Sequence, residues 1–139
     1  MTGSHPEEFL RTILERALDA IESGRSEHIY RRDHKTGKKV IYHLARDLEK
    51  LDACCSNSMV TTESDYWGVI QDCLESALSE PRNSFKQPEE KIASHKEVDG
   101  LEMFAFVVQL PDFTCPIYTK FCLKKQSDGT WYVSIDCHT

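Results

Sequence analysis

The spacing of apolar side chains changes period part-way along the chain, and that change decides the fold class. Up to about residue 80 they recur at steps of three and four, as on one face of an α-helix; from residue 91 they alternate, as on one face of a strand. Helices first and hairpin-linked strands afterwards make an α+β domain. The expectation is three N-terminal helices packed on a C-terminal antiparallel sheet of about four strands. The helical part falls at about residues 6–80 and the sheet at about 91–138 of a single domain, 1–139, a length that suits one core.

Phe9, Leu10, Ile13, Leu14, Ala17, Leu18 and Ile21 share one helical face, which predicts a helix over Pro6–Ser23. Ser4 and Glu7 have capping-box spacing, Pro6 suits a first turn, and Ser23-Gly24 supplies a left-handed stop. His28–Arg32 reads as a short extended or turn segment. Ile41, Leu44, Ala45, Leu48 and Leu51 then predict a second helix over Lys38–Asp52. The alternative is a β-hairpin of Ile29–Arg32 with Lys39–His43 about the Thr36-Gly37 turn, since Val40, Ile41 and Tyr42 favour strands. Thr62, with Asp65 three residues on, opens a third helix carrying Tyr66, Val69, Ile70, Cys73, Leu74, Ala77 and Leu78 on one stripe. Pro81 ends it, and Arg82–Glu90 reads as a long exposed connection.

Four strands follow, at Lys91–Val98, Leu101–Leu110, Ile117–Lys125 and Thr130–His138, with Asp99-Gly100 and Ser127-Asp128-Gly129 as turns. Met103–Val108 is apolar on both faces, as a central strand would be. In the last hairpin, Ile117, Phe121 and Leu123 face the core with Trp131, Val133, Ile135 and Cys137. A three-residue turn with Gly129 left-handed then sets Tyr118 opposite His138, Lys120 opposite Asp136, Cys122 opposite Ser134 and Lys124 opposite Tyr132, all on a solvent-facing surface.

The net charge of −6 argues against a protein that coats nucleic acid through its total charge. Basic charge is local instead: from Arg25 to Arg46 seven Lys or Arg stand against Glu27 and Asp33, a run that suits either a solvated face or a phosphate-binding edge. The six cysteines contain no Cys-x-x-Cys, so neither zinc nor any other metal or cofactor is expected. Cys73, Cys115 and Cys137 fall among apolar positions and read as buried, reduced thiols. No apolar run approaches the ~20 residues that a bilayer requires, and the first residues lack a basic start and an export stretch, so a cytoplasmic protein with no membrane partner is expected.

Tyr118, Lys120 and His138 bring a phenol, an ammonium and an imidazole to one patch. Cleaving RNA without a metal needs a base for the 2′-hydroxyl proton, an acid for the leaving 5′-oxygen and a cation for the phosphorane. Pro116-Ile117-Tyr118-Thr119-Lys120-Phe121-Cys122-Leu123, a Gly turn, then Trp131 to His138, resembles the closing "Ile-Tyr-Ile-Lys-Leu … Val-Ile-Ser-Phe-His" strands of small bacterial toxin ribonucleases. These are the MqsR-like toxins, in the broader group that includes RelE and barnase-type folds. Thr61-Thr62-Glu63-Ser64-Asp65-Tyr66 is similar to the "Leu-Thr-x-x-Asp-Tyr" step before the sheet in such chains. The resemblance implies a metal-independent mRNA endonuclease neutralised by a cognate antitoxin, with Tyr118, Lys120 and His138 on its active face. Asp136-Cys137 stands where Ser-Phe is usual, and such toxins are usually basic.

The expected catalytic residues are therefore His138, Lys120 and Tyr118, with Arg31, Arg32, Lys38, Lys39 and Tyr132 holding RNA. Two other classes compete. Residues 53–82, with one basic and five acidic side chains, suit a noncatalytic antitoxin, immunity or adaptor module. A curved-sheet pocket lined by Phe104, Phe106, Trp131 and Tyr132 would suit a small ligand.

Overall fold

The computed structural model describes residues 5–32, 35–36, 39–41, 44–56, 60–87 and 101–139, with the side chains of 30–32 and 39–41 left aside. Helix α1 spans Glu7–Glu22. Pro6 is its N-cap, and Ser4, the expected cap, lies outside the described residues. Its far end closes as a Schellman motif: Arg25 N–H donates to Ala20 O and Gly24 N–H to Ile21 O, with Gly24 left-handed at φ 75°.

The segment read as one second helix divides in two. Strand β1 (Ser26–His28) leads into a hairpin of β2 (Tyr30–Arg32) and β3 (Lys39–Ile41), and α2 runs only from Leu44 to Cys54. The hairpin alternative is the one that forms. Ile41 falls at helical spacing from Leu44 and Leu48, but the β-branched pair Val40-Ile41 is satisfied by cross-strand pairing instead. Helix α3 (Glu63–Ser79) starts as the sequence indicates: Thr62 Oγ1 accepts from Asp65 N–H, and the Asp65 carboxylate accepts from Thr62 N–H.

Pro81 stops α3 and also opens a single turn, α4 (Pro81–Ser84), because proline at a first helical position has no N–H to waste. Strand β4 (Phe85–Lys86) follows, pairing with β5 (Phe104–Val108). The exposed connection expected from Arg82 onward is therefore structured at its start, with Pro81 and Ser84 buried and Phe85 edge-on to Phe106 at 5.5 Å. Strands β6 (Ile117–Lys125) and β7 (Trp131–His138) complete the list. The expected strand Lys91–Val98 and turn Asp99-Gly100 lie outside the described residues.

Among the described residues the main sheet has five strands in the order β1-β7-β6-β5-β4, and it is mixed, since β1 runs parallel to β7 while the other pairs are antiparallel. Of the four antiparallel strands expected, three form as β5, β6 and β7, while the fourth antiparallel member is β4 and the parallel β1 was not expected; N-terminal helices do pack on a C-terminal sheet, with α4 added to the three expected. The β6–β7 register is the expected one, Tyr118 with His138 through Lys124 with Tyr132, across a turn in which Gly129 is left-handed at φ 88°.

One face of the sheet meets α1 and α3 in a core that holds Leu14, Tyr66, Leu74, Phe106, Phe121 and Ile135. The other face is not uniformly wet. Cys122, expected in solvent, is buried with Ile29 and Met103 in a second small cluster, and Ser134 is buried too. Phe104 and Phe106 pack against Phe121 at 5.8 and 5.9 Å within the core.

A second cysteine departs from expectation: Cys115 is not a free thiol but is bonded to Cys54, tying the end of α2 to the β5–β6 connection. Thr114 N–H donating to Cys54 O and Ser56 N–H to Asp112 O reinforce that tie. Cys73 and Cys137 are free and buried, as expected, and burial pushes the Cys73 thiol up to about 12. Among the described residues no helix is long and apolar enough to cross a membrane.

Candidate functional site

Antiparallel pairing puts directly opposed residues on the same side of a sheet, and a two-residue step along a strand returns to that side after ~6.7 Å. The β6–β7 register thereby forms a two-by-two patch: Tyr118 beside His138, and in the next row Lys120 beside Asp136. All four are half-buried. The Tyr118 and His138 rings lie 5.0 Å apart, tilted by 32°, and His138 Nδ1 is 3.3 Å from Thr139 O.

The edge of β7 supplies the groups that support the patch from behind. β1 accompanies β7 only part-way: Val133 N–H donates to Arg25 O and Ile29 N–H to Ile135 O, after which the chain turns off into β2. Cys137 is the next residue whose backbone points to that edge, and the Tyr66 hydroxyl of α3 takes the place of the departed strand. It accepts from Cys137 N–H at 2.8 Å, and its own hydrogen lies between Asp136 Oδ1 at 2.9 Å and Cys137 O at 3.1 Å. Burial, with Cys137 and Asp136 alongside, raises the Tyr66 phenol far above its ordinary value, so it stays a neutral donor.

Asp136 is set by opposed influences. Burial pushes its carboxyl up to about 7, and the Asp47 carboxylate of α2 adds to that; the Tyr66 hydrogen bond, Lys120 and Arg46 act the other way. Asp47 is itself only 3% exposed. On the far side of Tyr66, His28 of β1 is stacked on Trp67 at 4.6 Å, meets the Tyr66 ring edge at 5.0 Å, and has Nε2 3.0 Å from Glu63 Oε1.

The structure therefore brings Tyr118, Lys120 and His138 together and separates Tyr132 from them, three rows up β7 beside Lys124. Because β1 runs parallel to β7, the hairpin that follows Ile29 leaves from the His138 end of the sheet. Its backbone carries Arg31, Arg32 and Lys39. Their side chains, and Lys38 altogether, lie outside the described residues.

Asp47, Tyr66 and His28 are the members of this cluster that reading the sequence for function passes over, and Asp136 enters that reading as the residue opposite Lys120. One signal was available: Asp47 stands in line with Leu44, Leu48 and Leu51, a carboxylate on the apolar stripe of α2. Tyr66 looked like one more core aromatic. Comparison of the chain with family models, curated proteins and solved structures finds no match.

Proposed function

We propose that the chain is an endoribonuclease toxin of the toxin–antitoxin type, cutting RNA in the cytoplasm by acid–base catalysis without a metal ion and held in check by a cognate antitoxin. The observation that carries the reading is the juxtaposition of Tyr118, Lys120 and His138 on one half-buried patch, at the end of the sheet from which the basic hairpin departs. His138 transfers a proton at one of the two oxygens that change bonding. The Lys120 ammonium stabilises the charge that builds on the phosphorane, and the Tyr118 phenol positions the phosphate or donates to it. Arg31, Arg32, Lys38 and Lys39 hold the backbone. Tyr132, ~20 Å along the strand from His138, offers a ring on which a base further along the RNA stacks.

The test is cleavage of a 5′-labelled pool of random-sequence RNA in the presence of a chelator. His138→Ala is expected to slow cleavage by ~10²- to 10⁴-fold, the usual contribution of a positioned proton-transfer group. Growth arrest on expression that survives both His138→Ala and Lys120→Ala undiminished is the contrary result. So is a wild-type protein that leaves the pool intact.

A further inference from the structure

A single imidazole cannot serve both ends of a phosphodiester cleavage in one step, because one group must take a proton while another gives one. The site needs a second proton-transfer group on the same side of the sheet as His138, one residue pair away, held rigidly and neither permanently charged nor permanently neutral near neutral pH. We propose that Asp136 is that group: it accepts the 2′-hydroxyl proton, with Tyr66 as the positioning residue that fixes its carboxyl. This assignment rests on the ribonuclease reading and completes its chemistry.

Geometry carries the case. Asp136 and His138 are alternate residues of β7, so their side chains project to the same face ~6.7 Å apart along the strand, enough to straddle a phosphate. Lys120, directly opposite Asp136, and Tyr118, opposite His138, flank the space between them. One Asp136 oxygen is anchored by the Tyr66 hydroxyl at 2.9 Å, and that hydroxyl is itself pinned by Cys137 N–H. A carboxylate held in this way by a group that is wholly buried loses little freedom when it acts.

In the step that follows, the 2′-hydroxyl gives its proton to Asp136. The 2′-oxygen forms a bond to phosphorus, and the bond from phosphorus to the 5′-oxygen breaks. The leaving oxygen takes a proton from the His138 imidazolium. The products are a 2′,3′-cyclic phosphate and a 5′-hydroxyl; Asp136 has gained one proton and His138 has lost one, and exchange with water resets both.

The groups whose charge or hydrogen bond acts on Asp136 are Tyr66 from α3, Asp47 and Arg46 from α2 and Lys120 from β6. His28 and Glu63 adjoin Tyr66 beyond them. Two of these influences have opposite sign. Removing the Asp47 charge eases ionisation of Asp136, whereas removing the Tyr66 donor hinders it.

The decisive experiment is the pH profile of single-turnover cleavage of the labelled random RNA pool by wild type, Asp136→Asn, Asp47→Asn and Tyr66→Phe. Binding of a 2′-O-methyl version of the pool, which offers no 2′-hydroxyl, is measured in parallel. The expected result in the wild type is a profile whose acid limb rises through about 7. That rise moves to lower pH in Asp47→Asn and to higher pH in Tyr66→Phe. Asp136→Asn loses at least ~10²-fold in rate while binding the 2′-O-methyl pool as tightly as wild type. A purely structural role moves no limb in opposite directions. Asp136→Asn cleaving at the wild-type rate, or a rise unmoved in Asp47→Asn, overturns this assignment and leaves the ribonuclease reading standing. A wild type that cleaves nothing at any pH overturns both.

Discussion

A half-buried carboxyl under the influence of another carboxyl is an unusual choice for a sheet face, and Asp136 should leave its mark on stability. Its folded-state acidity is weakened from the ordinary 3.8 to about 7, so the native state binds the proton more tightly than the unfolded chain does. The stability tied to that proton is fully present below about 4, is lost as pH rises through about 7, and changes no further above. Urea unfolding followed by tryptophan fluorescence across that window should show the decline, and Asp136→Asn should flatten it. Asp65 and Asp128 act in the opposite sense and in a different window. Backbone and Thr62 hydrogen bonds hold Asp65, and Thr130 holds Asp128, below the ordinary carboxylate range, so their contributions are lost only as pH falls below about 4. At this scale the sequence discloses residue types but not their environments. Tyr118, Lys120 and His138 were legible because alternation and one turn fix a hairpin register. The cluster of Asp136, Tyr66 and Asp47 was not, because three elements far apart in the chain supply it.

Elements whose stabilising contacts are local are the ones that can be read in advance. α1 and α3 each carry an apolar stripe and their own end signals, and β6–β7 is closed by a turn with glycine where positive φ requires it. α3 is the clearest instance, and its start is testable: Thr62→Ala removes the side-chain acceptor of Asp65 N–H and should cost ~1 kcal/mol in a urea melt, with Thr62→Ser nearly neutral. Where reading failed, the partner was distant or the pattern served two ends. Ile41 fits a helical spacing that begins in earnest only at Leu44, and the pairing of Phe85 with Phe106 rests on contacts with a strand formed some twenty residues later. The three-residue parallel strand β1 has almost no signature of its own; it is a strand because β7 offers it an edge.

Two long-range ties hold the whole molecule. One is covalent: the bond between Cys54 and Cys115 closes a loop across a sequence separation of 61, and restricting the unfolded chain over that length is worth ~4 kcal/mol. Urea melts with and without a reductant should differ by about that amount, and Cys115→Ser should behave in both as the reduced wild type does. Because α2 also carries Asp47 and Arg46, the same bond steadies the helix that faces Asp136. The other tie is the parallel ladder of β1 with β7, which joins Ser26 to Val133 and makes the strand holding both Asp136 and His138 the bridge between β1 and the rest of the sheet. Translation therefore delivers β1 about a hundred residues before its neighbour exists, and such remote pairings form late. A nascent chain halted before Trp131 has neither Asp136 nor His138 and lacks the strand that carries both, so under the ribonuclease proposal no message is cut until the ribosome has read almost to the end of β7.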